Sequence, residues 1–220
     1  MILCIADLLP PEDVRALRDA LADATFQDGK KTAGWHARLV KDNLQLASGN
    51  PMIDALRERL TARIRGHELF QMAVRPKTVT PVIVSRYEPG MRYGTHVADA
   101  VMHGIRTDVS FTVFLEDPET YDGGELVMES TAGEEAFKLP AGAGVVYPSG
   151  QLHRVDEVTR GARLAVVGWA ESLIRDPRQR EILFDLDSAR RMLFQAQGKT
   201  AEFDLITKSA ANLTRMWAET

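Results

Sequence analysis

The sequence predicts a mainly β protein with flanking helices (α+β): helices first, then a β-barrel or jelly roll, then a helical C-terminal unit. Three observations predict it. Apolar residues recur at spacings of three and four in two segments before residue 67. From Lys77 the texture changes to short runs rich in β-branched and aromatic residues, parted by Gly-, Pro- and Asp-rich turns. Helical spacing returns after Asp176. Many short strands with no helix between them mean a sandwich or barrel.

Each element has its own warrant. "MILCIAD" reads as a buried first strand. The run is too short to span a bilayer, and no basic segment precedes it as in a signal peptide. In "LPPEDVRALRDALADATF", Val14, Leu17, Leu21 and Ala24 form the apolar stripe of a helix with proline before its start. A loop-rich stretch, "QDGKKTAGWHARLVKDNLQLASG", separates it from a second helix, "NPMIDALRERLTARIRG". Asn50 suits that helix's N-cap, Pro51 its first turn and Gly66 its stop, with Ile53, Leu56, Leu60 and Ile64 as the stripe. In the β region "RTDVSFTVFLED" alternates, with Val109, Phe111, Val113 and Leu115 on one face and Ser110 and Thr112 on the other. Asp176 can cap and Pro177 can start the next helix, and Phe203, Ile206, Ala210, Leu213 and Trp217 share one face of the last.

Composition narrows the function classes. Of 220 residues nearly half are apolar, so a sizeable core is available. A net charge of −4 with mixed signs argues against a nucleic-acid binder, and no segment suits a membrane. Cys4 is the single cysteine, so no internal disulfide forms and a cytoplasmic location fits. The terminal helix pair leaves a homo-oligomer open, since it could be a dimer face or the cover of a barrel edge.

The residues able to carry chemistry fall at strand ends. His96 follows "PVIVSRYEPG", His153 begins "LHRVDEV" and Arg163 begins "ARLAVVGW". A hairpin through "VTRGA" is expected, with Gly161 left-handed, Val158 opposite Ala162, and Arg163 opposite Glu157. His153 and Arg163 then point to the same side. Two histidines and a carboxylate with open positions are the cage of non-haem Fe(II) oxygenases. An arginine on the same inner face can hold a carboxylate bidentately, as the distal end of 2-oxoglutarate would need.

Nearly the whole chain resembles a known family. "FQDGKKTAGWHARLVKDNLQL", "SRYEPGMRYGTHV", "RTDVSFTVFLEDPETYDGGELVME", "FKLPAGAGVVYPSGQLHRVDEVTRGARLAVVGWAESLIRD" and "LFDLD" are similar to the PKHD-type hydroxylases, Fe(II)/2-oxoglutarate dioxygenases related to the prolyl 4-hydroxylase α-subunit catalytic domain. The resemblance implies a double-stranded β-helix (jelly roll, cupin-like) as the core, from about residue 77, within a dioxygenase domain at 1–175. Residues 176–220 form the helical unit. It implies iron on His96 and His153, 2-oxoglutarate on Arg163 and L-ascorbate as a supporting reductant. The expected reaction hydroxylates an unactivated C–H of a small molecule or peptide, releasing succinate and CO2.

The departure lies in "YGTHVADAVM". The family reads histidine, any residue, aspartate; here that aspartate position is Ala98, and the acid follows as Asp99. Either Asp99 reaches the metal through a local bulge, or two histidines hold it with water or an anion. A degenerate binding module and a halogenase-like enzyme using the vacancy are the alternatives. His103 is kept as a replacement ligand. Tyr87 and Tyr93 are candidates to hydrogen-bond the co-substrate, and Lys31, Trp35, Lys41 and Asn43 to touch substrate. "DGG" (122–124) reads as a turn without chemistry, and Phe111, Met128 and Trp169 as core.

Overall fold

The computed structural model describes every residue except Ser48 and Asn50. The N-cap expected at Asn50 therefore lies outside the described residues. Strand β1 (Leu3–Ile5) leads into helix α1 (Pro11–Ala22), then β2 (Phe26–Asp28), β3 (Lys41–Asp42) and β4 (Leu44–Leu46). Helices α2 (Pro51–Gly66) and α3 (Glu68–Val74) come next. A long β region follows. It holds β5 (Pro76–Val79), β6 (Ile83–Tyr87), β7 (Arg92–His96), β8 (Val101–Met102), β9 (Ile105–Arg106) and β10 (Val109–Phe114). It continues with β11 (Asp122–Gly123), β12 (Leu126–Ser130), β13 (Gly133–Phe137), β14 (Gly144–Pro148), β15 (His153–Val155), β16 (Val158–Arg160) and β17 (Arg163–Ser172). Helices α4 (Pro177–Gln197) and α5 (Ala201–Trp217) close the chain.

The strands form a jelly roll of two facing antiparallel sheets. The larger runs β1-β14-β10-β17-β6-β4-β2, with β5 also on β17; the smaller runs β13-β12-β15-β7-β3. Two short ribbons, β8-β9 and β11-β16, stand apart. Alternation on β10 decides where the cores lie. Val109, Phe111 and Val113 pack with Leu17, Leu60 and Phe70 of the helices on the outside of the larger sheet. Phe114 turns the other way, joining Tyr87, Met128 and Val155 between the sheets. Burying both faces of a central strand explains why all six β10 residues are buried, Ser110 and Thr112 included.

The helices are fixed to the larger sheet by charge as well as by apolar stripes. Asp13 of α1 is buried and pairs with Arg59 (3.0 Å) and Arg63 (3.1 Å) of α2. Asp176 caps α4 by accepting from the Arg178 N–H at 2.8 Å, with Pro177 in the first turn. Leu183 of α4 is fully buried, and Asp187 pairs with Arg75 at the end of α3.

Two expectations need correction. β1 is an edge strand paired only with β14, so Ile5 is buried but Cys4 faces out. The hairpin joining His153 to Arg163 does not form. β15 pairs with β12 and β7 in the smaller sheet, while β17 pairs with β10, β6 and β5 in the larger. The short β16 between them pairs with β11 instead. Gly161 is left-handed as expected (φ +73°), but a Cβ there would meet the Thr120 carbonyl at 2.4 Å, so the turn serves a crossing between sheets.

Candidate active site

The cavity between the two sheets collects the polar residues that alternation turns inward. Its volume is about 90 Å³, and its lining includes His96, His153, Arg163, Tyr87, Lys41 and Ala98. His153 and Arg163 do share this interior, though by facing each other from opposite sheets.

His96 and His153 are cross-strand partners on β7 and β15, with ring centroids 4.3 Å apart. The pairing slips by one residue here: His153 sits opposite His96, but Val155 opposite Tyr93. That bulge puts Tyr93 and His96 on the same face although three residues apart, and their rings stack at 3.6 Å. Each histidine Nδ1 meets the backbone oxygen two residues earlier, Gly94 at 2.9 Å and Gln151 at 2.8 Å. A carbonyl only accepts, so Nδ1 carries the proton and the neutral ring presents its Nε2 lone pair. Burial, with the neighbouring His153 second, pushes the His96 pKa down to about 3, and burial also lowers that of His153. Both rings are held in the protonation state and orientation a metal ligand needs.

Arg163 opens β17 opposite Tyr87 of β6. Its side chain is 1% exposed, and its guanidinium lies 5.3 Å from the ring centres of both Tyr87 and Phe114. Nε and Nη2 find no acceptor among the described residues, and no carboxylate pairs with it. Gly124 makes room for it: at φ +69° a Cβ would sit 2.9 Å from Val158 and 3.0 Å from the Arg163 Cδ. "DGG" thus does more than turn the chain. Burial raises the hydroxyl pKa of Tyr87 and of Tyr147 to about 12 and that of Tyr93 further, so all three stay protonated donors.

Ala98 and Asp99 both line the cavity. Ala98 is half-buried, its N–H donating to the Ser149 oxygen at 3.3 Å. Asp99 is exposed at the rim. Its backbone oxygen accepts from the Thr107 hydroxyl, and its carboxylate lies over Gly34, where a Cβ would be 3.0 Å from both oxygens. Among the described residues no three His, Cys, Asp or Glu side chains converge as a metal site. The bulge lies before His96, not after it, and Asp99 sits at the cavity mouth, close enough to act on the Tyr93 hydroxyl. His103 does not line the cavity. It sits exposed at the tip of the β8-β9 ribbon with φ 53°, away from the cavity.

Of the substrate-side candidates, Lys41 and Asn43 line the cavity, whereas Lys31 bonds to Gln27 on the surface and Trp35 is 80% exposed. Phe111 and Met128 are core as expected; Trp169, half-buried, lines the cavity. Sequence reasoning missed Thr32, Gln45 and Tyr147 as lining residues. It noted Ser110 and Thr112 only as the polar face of a strand. A polar face on a strand this apolar was the available signal, because a central strand has no solvent side.

Two chemical requirements can be tested on these residues. The unpartnered buried guanidinium fits a dicarboxylate co-substrate. Two neutral imidazoles fit a divalent transition metal, and Ala98 beside them offers no donor side chain.

Comparison with known proteins agrees with the geometry. Residues 82–171 match the 2OG-Fe(II) oxygenase superfamily and residues 178–219 the PKHD-type hydroxylase C-terminal domain. A PKHD-type hydroxylase of Picosynechococcus sp. strain PCC 7002 is 52% identical over 219 residues, and one of Synechococcus sp. strain JA-2-3B'a(2-13) 54% over 223, each covering 100% of both chains. The crystal structure of a Pseudomonas putida prolyl-4-hydroxylase is 25% identical and covers 78% of this chain and 92% of that one, with a TM-score of 0.51. The chain therefore belongs to the PKHD-type hydroxylase family and to the 2OG-Fe(II) oxygenase superfamily, and is a dioxygenase.

Proposed function

We propose that this protein hydroxylates an unactivated C–H bond of a small-molecule or peptide substrate. The balance is R–H + O2 + 2-oxoglutarate → R–OH + succinate + CO2. The observation that supports this best is Arg163, a buried cation without an acid, facing two neutral histidines across one cavity. His96 and His153 would hold Fe(II) through Nε2, and Arg163 the distal carboxylate of 2-oxoglutarate. When bound, the iron couples reduction of O2 to decarboxylation of the co-substrate. The protein's part is placement. The Gly94 and Gln151 carbonyls fix the imidazole planes, Gly124 leaves the guanidinium its room, and the Tyr87 and Phe114 rings wall the co-substrate off from water. L-ascorbate would act from solution to keep the iron reduced. A cytoplasmic location agrees with this chemistry; no helix among the described residues is long and apolar enough to cross a membrane.

Fe(II) and 2-oxoglutarate added without air should give the weak visible charge-transfer band of a chelated co-substrate, and succinate should form once O2 and substrate are supplied. No band at millimolar co-substrate overturns the reading.

Ala98 favours a second reading, a family member whose metal site is weakened or completed by an outside anion such as halide. Ala98→Asp restores a carboxylate on the His96 face and should tighten Co(II) binding by at least about tenfold, roughly 1.4 kcal/mol. Asp99→Ala should leave it unchanged. Titration of Co(II) absorbance checks both.

A further inference from the structure

We infer that Lys41 is the counter-ion of a carboxylate on the primary substrate, forming a second anion subsite in the cavity, separate from Arg163. The inference rests on the reading that Arg163 takes 2-oxoglutarate. Lysine is almost never buried without an acidic partner, yet Lys41 is 6% exposed and no carboxylate among the described residues lies within salt-bridge distance, Asp28 acting on it only from further away. Its Nζ donates to the Thr32 hydroxyl at 3.1 Å and lies 5.0 Å from the Tyr93 ring centre. The Thr32 hydroxyl in turn meets Gln45 Oε1 at 2.7 Å, which orients the oxygen that faces the ammonium. One of three ammonium N–H groups is thus used among the described residues. Asn43, two residues along, is 2% exposed and lines the same cavity, its side-chain amide beside the Tyr87 hydroxyl.

The bland alternative is a lysine that lays its stem on Tyr93 and sends its head into water. The burial and the inward hydrogen bond to Thr32 count against it. Two adjacent donor groups, an ammonium and an amide, make a cradle for an acceptor-only ligand. Their single formal charge matches a monoanion, so a carboxylate suits it better than a phosphate dianion. The placement is also productive. The Tyr93 ring touches Lys41 on one part and stacks on His96 on another, so an anion held at Lys41 keeps the rest of its molecule beside the paired histidines.

The test uses the full chain with saturating 2-oxoglutarate, titrated with acetate and, as the neutral isostere, acetamide. Tryptophan fluorescence reports binding, because Trp169 lines the cavity. Saturable binding of acetate but not acetamide is expected. Lys41→Met should weaken acetate at least about tenfold (1.4 kcal/mol) while 2-oxoglutarate affinity holds, and Lys41→Arg should keep acetate binding. Arg163→Met should do the reverse. Equal binding of acetamide, unchanged acetate binding in Lys41→Met, or loss of 2-oxoglutarate rather than acetate in that variant overturns the proposal. Unchanged 2-oxoglutarate affinity in Arg163→Met would instead overturn the assignment of Arg163 and leave Lys41 standing.

Discussion

A guanidinium closed off from water with no acid beside it costs several kcal/mol in the empty protein, and that cost is relieved when a ligand brings the charge. Arg163 is in that position. Arg163→Met should therefore weaken 2-oxoglutarate by about a hundredfold, roughly 3 kcal/mol, and yet raise the melting temperature of the ligand-free protein. Arg163→Lys should recover only part of the affinity, because one ammonium cannot reproduce the two-pronged contact. Lys41 makes a different forecast. Burial depresses its pKa to about 8 from an ordinary value of 10.5. The unfolded chain therefore holds a proton that the folded one has released between those values. Stability from this group rises as pH climbs from about 8 towards 10, by no more than about 3 kcal/mol. Cys4 and the buried tyrosines oppose it near the top of that window, since their raised pKa values favour the fold less as the unfolded chain ionises. Urea midpoints at pH 7.5 and 9 should rise less in Lys41→Met than in the natural sequence.

At the scale of elements, the helices and the runs of strands were readable because each follows a local rule. Thr200 shows this in α5, where its hydroxyl accepts from the Phe203 N–H at 3.2 Å. Thr200→Ala should cost about 1 kcal/mol in urea unfolding and leave 2-oxoglutarate affinity unchanged. Pairings were less readable. Residues 153–172 look like a hairpin because a glycine turn separates two apolar runs, yet those runs enter opposite sheets. Sequence proximity favours the neighbour, whereas closing a sandwich needs the chain to cross over. The bulge in β7 was equally hidden, since no residue type marks an unpaired position as firmly as proline marks a helix start. His96, His153 and Arg163 were legible through resemblance and through strand ends. Lys41 and Asn43 were named through the resemblance only beside Lys31 and Trp35, which do not line the cavity, and Tyr147 was not named at all, because the lining depends on which strand faces which.

The whole molecule divides its work between two interiors. Helices α1 to α3 cover the outer face of the larger sheet with a continuous apolar core, while the inner face borders a hollow holding two basic side chains with no salt bridge among the described residues. An apolar core on one side tolerates a polar hollow on the other. Filling that hollow should stabilise the fold by mass action, by about 2.7 kcal/mol at a 2-oxoglutarate concentration a hundred times its dissociation constant. Thermal melts across a 2-oxoglutarate series should show this rise in the natural sequence and a flat line in Arg163→Met.

The two-faced burial of β10 has a consequence for how such a chain can diverge. Along Val109–Phe114 the odd-numbered side chains answer to the helices, whereas Ser110 and Thr112 answer to whatever occupies the hollow. Neighbouring codons are thus subject to unrelated selection. A lineage can exchange Ser110 and Thr112 to suit a new substrate while Val109, Phe111, Val113 and Phe114 keep the fold intact, so specificity can drift within a strand that never moves.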